Sequence, residues 1–543
     1  MKNIKRVLLL DLFADRIVVE SVGLGSLSAY LKQHGYETML RAYPKDSVEY
    51  DQIMVFQPDI VGITVNFETI GFIGEVCDTI CRFIPDVIFF TGGYLASNNT
   101  EAVMTDIPIF EFAIRGEGEL SLLAVLQAIA NGRPYSDVEG ISYRENGKLI
   151  HNIDRTLIQD LDILPFPDRS VMRQYAIPIA QIEGARGCPC RCTFCSYQAF
   201  WACNNKQEQG NWRAKSPSVI VDEIEQILRE DGITRFRFLD SSFENPHLNS
   251  ERMNQIADEL IKRDLNITYF VNFRASVHRI LDESLMHKLI QSGLISIFLG
   301  IESFDRNDLK IFNKSSTEDD THRAIELLQS YPIYLNIGMI NFHPYATTGS
   351  LRKNAEMLQK YGFSGRLLFL RELTIFDGTP ICDQVRGDGL MQGMYHQVYN
   401  YKFNDLRVEF IYRYLQELHI RYPDLIKLET YATSYSHLLN HLKRYFTKAG
   451  DHNAVEHVGV FEQKLTDILT MLGDGFTRLA LSLIDLSEKG WNNVDADRLF
   501  NNVFGTSVFA DFARRLELST LVLQKNLLRI NPNYINHFVY RNE

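Results

Sequence analysis

Apolar runs of strand length alternate with helical segments along most of this 543-residue chain. The first series contains RVLLLDLF, GLGSLSAYLKQHGYE, DIVGITVNF and VIFFTGGYL. Continuous apolar strands separated by helices of this kind are typical of an α/β fold with a parallel, doubly wound sheet. Such sheets bind ligands beyond the carboxyl ends of their strands. We therefore expect the loops after Leu10, Ile63 and Thr91 to hold a ligand.

A second alternating series begins at PIAQIEGARG and continues through RFRFLD, TYFVNF, SIFLGIE, YLNIGMINF and RLLFLREL. Six or more strand–helix units predict a partial or complete α/β barrel, with functional groups at the carboxyl ends of its strands. Between the two series, DVEGISYRENGKLIHN has the pattern of a hairpin, and LDILPFPDRS that of a linker. The predicted organisation is a Rossmann-like domain over 1–140, a connector over 141–176, a barrel over 177–395 and a helical region over 396–543.

The composition limits the classes of function. With 45% hydrophobic and 23% charged residues the chain has a globular composition, and its net charge of -12 lacks the basic footprint of a nucleic-acid binder. No stretch reaches the roughly 18 apolar residues that a membrane span needs. The first apolar run is interrupted by Asp11 and has no export cleavage site. We expect a cytoplasmic protein whose cysteines are ligands or catalysts.

Four of the eight cysteines lie in the segment RGCPCRCTFC. Cys188, Cys192 and Cys195 follow the spacing C-x-x-x-C-x-x-C, just after a predicted strand. Three thiolates can bind three irons of a four-iron cluster, and the fourth iron is then open unless Cys190, Cys203 or an exogenous molecule binds it. An open position indicates substrate binding, as at catalytic metal sites. The alternatives are a zinc site, which lacks a second ligand pair, a redox pair, which leaves Cys188 unexplained, or buried apolar cysteines.

The cysteine loop resembles that of the radical S-adenosylmethionine (SAM) superfamily, and specifically of members with an N-terminal cobalamin-binding domain. The resemblance extends to EFAIRGEGELSLLAVLQAI, WRAKSPSVIVDEIEQI, FRFLDSSF and LGIESFD, and it covers approximately residues 5–390. It implies that Cys188, Cys192 and Cys195 hold a 4Fe–4S cluster, with Phe194 near the adenine of SAM.

The same resemblance implies four further contacts to SAM from residues at predicted strand ends, which are Asp240, Asn272, Arg274 and Glu302. Strand ends are where a barrel carries its functional groups, which supports this placement. The alternative for two of them is an ion pair between Arg274 and Glu302. His343 also follows a strand, where a substrate contact and a structural role in the loop are the two alternatives.

Cobalamin domains in the wider family often carry D-x-H-x-x-G, whose histidine ligates cobalt. The corresponding stretch here, DLFADRIVVESVGLG, contains no histidine. The resemblance therefore implies cobalamin bound without a protein histidine. The residues expected to line it are Val22, Gly23, Leu24, Val65, Asn66, Phe67, Gly92, Gly93 and Tyr94. Gly92 and Gly93 would allow the backbone to approach the ligand closely. A domain that only packs against the barrel is the alternative.

The resemblance implies a cobalamin-dependent methyltransferase that acts on an unactivated carbon of a small-molecule or natural-product substrate. A reduced cluster would cleave SAM, the resulting radical would remove a hydrogen atom, and methylcobalamin would supply the methyl group. Flavodoxin or ferredoxin would be the electron donor. A radical cyclase or rearrangement enzyme without methyl transfer is the main alternative. An RNA methylthiotransferase is disfavoured, because Cys77 and Cys81 lie on a predicted helix. A non-catalytic iron–sulfur protein is the remaining alternative.

Overall fold

The computed structural model describes residues 4–14, 19–202, 212–244, 249–363, 368–393, 399–505 and 508–531. The chain forms two compact units. The first comprises Met1–Ser241, Thr374–Arg386 and Gln392–Asn400, and the second comprises Ser242–Leu373, Gly387–Met391 and Tyr401–Glu543. None of the helices in these described ranges has the length and apolar character needed to cross a membrane.

The first unit begins with a seven-stranded sheet. Its elements are β1 (Arg6–Phe13), α1 (Val22–Gln33), β2 (Glu37–Pro44), α2 (Tyr50–Phe56), β3 (Ile60–Thr64), α3 (Ile70–Phe83), β4 (Ile88–Gly92), α4 (Tyr94–Asn98), α5 (Thr100–Asp106), β5 (Phe110–Ile114), α6 (Glu119–Asn131), β6 (Ile141–Glu145) and β7 (Lys148–His151). The strand order is β2-β1-β3-β4-β5-β6-β7, with β1 to β5 parallel. The predicted doubly wound sheet is confirmed, and its strand order reverses between β1 and β3, where such folds bind ligands.

Two local features explain the shape of this sheet. The six central residues of β1 are all buried, which accounts for its continuous apolar run with a single charged residue, Asp11. The hairpin β6–β7 pairs antiparallel with β5, Ser142 lying opposite Ala113, so it widens the sheet. Its turn is made by Asn146 and Gly147, both with positive φ (50° and 76°), as a two-residue hairpin turn requires.

The first unit continues with short strands around the cysteine loop. The elements are α7 (Ser170–Gln174), β8 (Ala180–Ile182), β9 (Ala185–Arg186), α8 (Ser196–Ala202), β10 (Arg213–Ala214), α9 (Pro217–Asp231) and β11 (Arg235–Phe238). Strand β8 pairs parallel with β11, and β9 pairs antiparallel with β10. Helix α9 begins at Pro217 and is followed by Gly232, whose φ is 68°. Proline at the first position and glycine just after the last are common at helix ends.

The second unit contains the later strands of the alternating series. Its elements up to residue 360 are α10 (Glu251–Lys262), β12 (Thr268–Arg274), α11 (Glu283–Ser292), β13 (Leu294–Glu302), α12 (Arg306–Ile311), α13 (Glu318–Gln329), β14 (Tyr334–Met339) and α14 (Thr348–Lys360). Strands β12, β13 and β14 are parallel neighbours. The predicted strand RLLFLREL differs: its described part forms a 3-10 turn over Leu368–Leu370 and one isolated bridge from Glu372 to Phe342.

The last part of the chain is helical, as predicted. After α15 (Pro380–Gly387) and the two-residue strands β15 (Met391–Gln392) and β16 (Asn400–Tyr401), the chain forms α16 (Leu406–Arg421), α17 (Asp424–Lys448), α18 (His452–Lys489), α19 (Asn493–Val503) and α20 (Val508–Ile530). Helix α18 buries an apolar stripe that includes Val458, Phe461, Leu465, Ile468 and Leu472, at the spacing of one helical face.

Candidate active site

The cysteine loop lies between β9 and α8 in the first unit. Cys188, Cys192 and Cys195 are each half-buried. The amide of Cys195 donates to the carbonyl of Cys192 at 3.2 Å, and the carbonyl of Cys195 accepts from Ala199 at 3.2 Å as α8 begins. The loop therefore presents three thiols on a hydrogen-bonded backbone.

Two side chains hold the backbone on which this loop begins. Asp240 has no exposed surface, and its Oδ1 accepts from the amides of Gly184 at 2.8 Å and Ala185 at 2.9 Å. Ser241 Oγ donates to the carbonyl of Gly187 at 2.9 Å. The backbone that leads into the loop is thus held by two residues that follow β11. The predicted contact of Asp240 with SAM stays a prediction.

The three thiols fit a four-iron cluster by their number and placement. A hydrogen bond with Cys190, and then burial, raise the pKa of the Cys188 thiol, so this thiol holds its proton. Iron binding would displace that proton, since the thiolate is the ligand. Within the described ranges no three His, Cys, Asp or Glu side chains converge on a single metal ion. A four-iron cluster does not require its ligands to converge on one ion, because each thiolate binds a different iron. Cys203 lies outside the described residues.

Glu302, in the second unit, has an unusual backbone conformation. Its φ is 68°, in the left-handed region, and the pairing of β13 with β14 shifts register between Gly300 and Glu302. Its Oε1 accepts from Lys314 Nζ at 3.1 Å, and these side chains are 13% and 8% exposed. A Cβ atom on Gly338 would stand 3.2 Å from Glu302 Oε2, so the glycine makes room for the carboxylate. A bulge that re-aims a side chain is typical of functional sites.

Arg274 ends β12 in the same unit. Its Nε and its backbone amide both donate to Glu244 Oε1, at 2.8 and 3.0 Å. Glu244 is fully buried, and its Oε2 has no hydrogen-bond partner among the described residues. Asn272 accepts from the amide of Phe243 through its carbonyl at 2.9 Å. The structure thus gives Arg274 a carboxylate partner other than Glu302.

Sequence reasoning missed Glu244 and Lys314. A signal for Glu244 existed, since it follows the strand FRFLD, at the end of a barrel strand. Lys314 follows α12 and carries no such signal. His343 belongs to a buried polar cluster, because it is 0% exposed and its Nε2 lies 3.2 Å from Asp308 Oδ1.

A cavity of about 290 Å³ lies at the carboxyl edge of the seven-stranded sheet, within the first unit. Six glycines contribute to its lining, which are Gly23, Gly62, Gly92, Gly93, Gly116 and Gly118. Three aromatic residues of α8 also line it, which are Tyr197, Phe200 and Trp201. The lining includes Thr64, the last residue of β3, and Gly93, which follows β4.

Four of the nine residues predicted to line cobalamin contribute to this cavity, which are Gly23, Leu24, Gly92 and Gly93. Val22 and Val65 are buried apolar residues, 5% and 1% exposed. Asn66 makes a turn, its Oδ1 accepting from the amide of Thr69 at 3.0 Å.

The last two of the nine, Phe67 and Tyr94, contact Phe376, with ring centroids 5.8 and 5.7 Å apart. The hydroxyl of Tyr94 also donates to the carbonyl of Asp377 at 2.7 Å. All four residues belong to the first unit. A role for Phe67 or Tyr94 toward cobalamin stays a prediction.

The lining of the cavity fits an organic ligand, or part of one, that the backbone approaches closely on one side. A Cβ atom on Gly23 would meet nothing within 4 Å, and Gly93 and Gly116 have φ values of 89° and 71°. Glycine is the residue that tolerates such conformations. The volume is close to the lower end of ligand pockets, about 300–1,000 Å³. The glycine-lined edge and the aromatic side chains of α8 therefore suit a flat organic cofactor.

Buried charge forms part of the same wall. Glu117, Glu119, Glu183 and Arg186 all line the cavity. Burial would raise the pKa of Glu119, but Arg186 and the hydroxyl of Ser26 outweigh it and hold that pKa below its usual value. Glu119 is therefore an ionised acceptor, paired with a guanidinium.

The cysteine loop follows a strand of a parallel α/β unit and lies beside a glycine-lined pocket of the Rossmann-like sheet. Residues 182–358 match the model of the radical SAM superfamily. The chain therefore contains a radical SAM domain, and the predicted resemblance to the radical SAM superfamily is confirmed.

Comparison with curated proteins gives a relative from Rubrivivax gelatinosus, anaerobic magnesium-protoporphyrin IX monomethyl ester cyclase. It is 30% identical over 320 residues, which are 56% of this chain and 55% of the relative. The chain thus spans only about half the length of that relative.

Two solved structures share the fold. The cobalamin-dependent SAM radical enzyme OxsB, with aqua-cobalamin and SAM bound, has a TM-score of 0.69 at 19% identity, covering 99% of this chain and 82% of that chain. The radical SAM methyltransferase TsrM from Kitasatospora setae, with cobalamin and a 4Fe–4S cluster bound, has a TM-score of 0.58 at 18% identity, covering 71% of this chain and 75% of that chain. These similarities confirm the predicted fold class.

Proposed function

We propose that this chain is a cobalamin-dependent radical SAM enzyme that transfers a methyl group to an unactivated carbon of a small-molecule substrate. One residue carries the proposal. Tyr197 lines the glycine-rich cavity, and its hydroxyl accepts from the amide of Gly187 at 3.2 Å, next to Cys188. Tyr197 therefore contacts both the cavity and the cysteine loop, an arrangement that suits two cofactors acting in one reaction.

We assign each cofactor to a set of residues. Cys188, Cys192 and Cys195 would hold a 4Fe–4S cluster, and the glycine-lined cavity would hold part of cobalamin. Phe194, Asp240, Asn272, Arg274 and Glu302 are the proposed contacts to SAM. When bound, these groups supply a radical that removes a hydrogen atom and a methyl group that replaces it.

The chain itself supplies orientation and charge. Glu302 is held over Gly338 by a bulge and paired with Lys314, so its carboxylate is fixed before a ligand arrives. Arg274 is fixed in the same way by Glu244. Preorganised charges of this kind need little reorganisation when a ligand binds, which favours binding.

The two similar structures support methyl transfer, because both contain bound cobalamin and TsrM is a methyltransferase. A second candidate is a radical cyclase or rearrangement enzyme without methyl transfer. It is favoured by the name of the Rubrivivax gelatinosus relative, a cyclase. For either reaction we propose flavodoxin or ferredoxin as the electron donor and the reducing cytoplasm as the location.

Anaerobic reconstitution tests the proposal. The protein is incubated with iron, sulfide and hydroxocobalamin, desalted, and analysed for iron and cobalt. We expect about four irons and one cobalt per chain, with deoxyadenosine formed from SAM after reduction. Cys192→Ala should lose iron, whereas Cys81→Ala, a half-buried cysteine on α3, should retain it. Iron without cobalt would favour the second candidate, and absence of iron from the wild type would refute both.

A further inference from the structure

Arg186 connects the cysteine loop to the wall of the cavity. It is the last residue of β9, stands two positions before Cys188, and is 4% exposed. Its Nη1 donates to Glu117 Oε1 at 3.0 Å and its Nη2 donates to Glu119 Oε1 at 2.7 Å. Its Nε donates to Glu183 Oε2 at 2.9 Å. Every nitrogen of this guanidinium is thus held by a carboxylate.

Two of these carboxylates, Glu117 and Glu119, are also held by hydrogen bonds to other parts of the chain. Glu119 Oε1 also accepts from Ser26 Oγ at 2.7 Å, from helix α1. Glu117 Oε2 accepts from the amide of Ile158 at 2.7 Å. A Cβ atom on the intervening Gly118 would stand 2.9 Å from Leu27, so the backbone there packs closely on α1. Both acids line the cavity, so a ligand in the cavity would contact them or their neighbours.

Arg186 is also close to the first cysteine along the chain. Gly187 separates Arg186 from Cys188. Its φ is 87°, a left-handed conformation that favours glycine at this position. Its amide donates to the hydroxyl of Tyr197, another residue of the cavity wall. A displacement of Arg186 therefore reaches the first cysteine through one residue.

We propose that Arg186 is a positioning residue that couples occupancy of the cavity to the conformation of the cysteine loop. This inference rests on the proposed function only in that it takes cobalamin to be the ligand of the cavity. Binding free energies are reciprocal, so a ligand that stabilises the ion-paired arrangement of Glu117 and Glu119 also stabilises the present conformation of the loop, and that conformation favours the ligand. A guanidinium suits this role, because its three nitrogens bind three carboxylates in a fixed planar geometry that lysine cannot match.

The first test uses the metal-free protein and requires no cofactor. Iodoacetamide is added at one pH, and peptide mass spectrometry measures the alkylation rate of Cys188, with Cys81 as an internal reference. Arg186→Lys should alkylate severalfold faster at Cys188 than the wild type. The matched control is Arg173→Lys, which removes a guanidinium that is 51% exposed and paired with Asp231, and which should leave the rate unchanged. Equal rates for wild type and Arg186→Lys would overturn the proposal.

The second test adds hydroxocobalamin to the same metal-free proteins. In the wild type, cobalamin should slow alkylation of Cys188, and in Arg186→Lys that protection should be lost. Protection that is equal in both proteins would overturn the coupling. A wild type that retains no cobalt would refute the proposed cobalamin dependence, while the first test would still decide whether Arg186 positions the loop.

Folding of the variants is checked by circular dichroism and by urea unfolding. If Arg186→Lys does not fold, Glu119→Gln replaces it, because that substitution weakens one of three contacts to Arg186. It should show a smaller increase in alkylation of Cys188 and a partial loss of protection. Unchanged behaviour of a folded Glu119→Gln would contradict the proposal.

Discussion

Arg186 and Arg213 lie directly opposite each other on β9 and β10, and both donate to the same oxygen of Glu117, at 3.0 and 2.8 Å. Two like charges in opposed positions of a strand pair repel each other. The carboxylate of Glu117 lies between them and offsets that repulsion. A small antiparallel ladder next to the cysteine loop therefore depends on an acid from a different part of the chain.

Substitution Glu117→Gln should destabilise the protein strongly. It leaves two buried guanidinium groups without their common carboxylate, and breaking a buried ion pair in this way costs about 3–5 kcal/mol. Urea unfolding measures the change. The control is Glu230→Gln, whose partner Arg173 is 3.3 Å away with both side chains exposed by 41% or more, and about 1 kcal/mol or less is expected. Similar losses for the two variants would show that Glu117 is not required for this ladder.

Stability should fall with rising pH because of Asp11. Burial raises the pKa of Asp11 from 3.8 to about 7 in the folded chain. Between about pH 4 and pH 7 the folded chain thus retains a proton that the unfolded chain has released, so stability present at low pH is lost as the pH rises through this range. The loss attributable to this one group is up to about 4 kcal/mol.

Comparison of Asp11→Asn with the wild type checks that dependence. Urea unfolding at pH 5 and pH 8 should show a smaller decrease for Asp11→Asn, since its amide does not titrate. Asp51→Asn, an exposed position on α2, is the control and should follow the wild type. Parallel profiles for Asp11→Asn and the wild type would rule out this source of pH dependence.

Substitution Gly23→Ala should separate stability from ligand binding. Gly23 is the second residue of α1, and an added methyl group would meet no protein atom within 4 Å, so helix stability should rise by about 0.5–1 kcal/mol. The methyl group would enter the cavity, so retention of cobalamin after desalting should fall. Gly71→Ala is a matched control, because Gly71 is the second residue of α3, equally unhindered, and outside the cavity lining. It should gain stability and bind cobalamin normally; loss of cobalamin from both variants would contradict this explanation.

Substitution Glu302→Gln should weaken SAM binding. The variant keeps the shape of the side chain and loses its charge, and a hydrogen bond to a charged group contributes about 1.5–3 kcal/mol, which is about tenfold or more in affinity. Equilibrium dialysis of the reconstituted enzyme with SAM measures the effect. Glu318→Gln removes a carboxylate that also pairs with a lysine, Lys353, at 2.6 Å, and should bind SAM as the wild type does. Unchanged binding by Glu302→Gln would remove this residue from the SAM site.

The sequence predicts the architecture well because the signals for it are local. Apolar runs such as RVLLLDLF and the glycines at 92 and 93 determine strands and ligand loops from short windows of sequence. The widening of the first sheet by β6 and β7 was harder to predict. Ser142 lies opposite Ala113, and nothing in a short window specifies which strand a hairpin joins.

The partners of the candidate site residues were also beyond sequence reasoning. Arg274 is held by Glu244, 30 positions earlier, and Glu302 is held by Lys314, 12 positions later. Such contacts depend on how strands and helices are arranged in space. The hydrophobic periodicity of the sequence does not predict that arrangement. The same holds for Tyr94, whose hydroxyl bonds to a carbonyl 283 positions away.

That last contact has a consequence for the order of events during synthesis. The first compact unit is completed by Thr374–Arg386 and Gln392–Asn400, which carry Phe376 to Phe67 and Tyr94. Domains generally fold as units while the chain emerges from the ribosome. Here the N-terminal sheet is made first but cannot acquire its last packing partners until residue 400 has emerged. A chain released at Ser241 would lack Phe376, so the rings of Phe67 and Tyr94 would lose one packing partner and expose more apolar surface, and we expect such a fragment to aggregate more readily than the full chain.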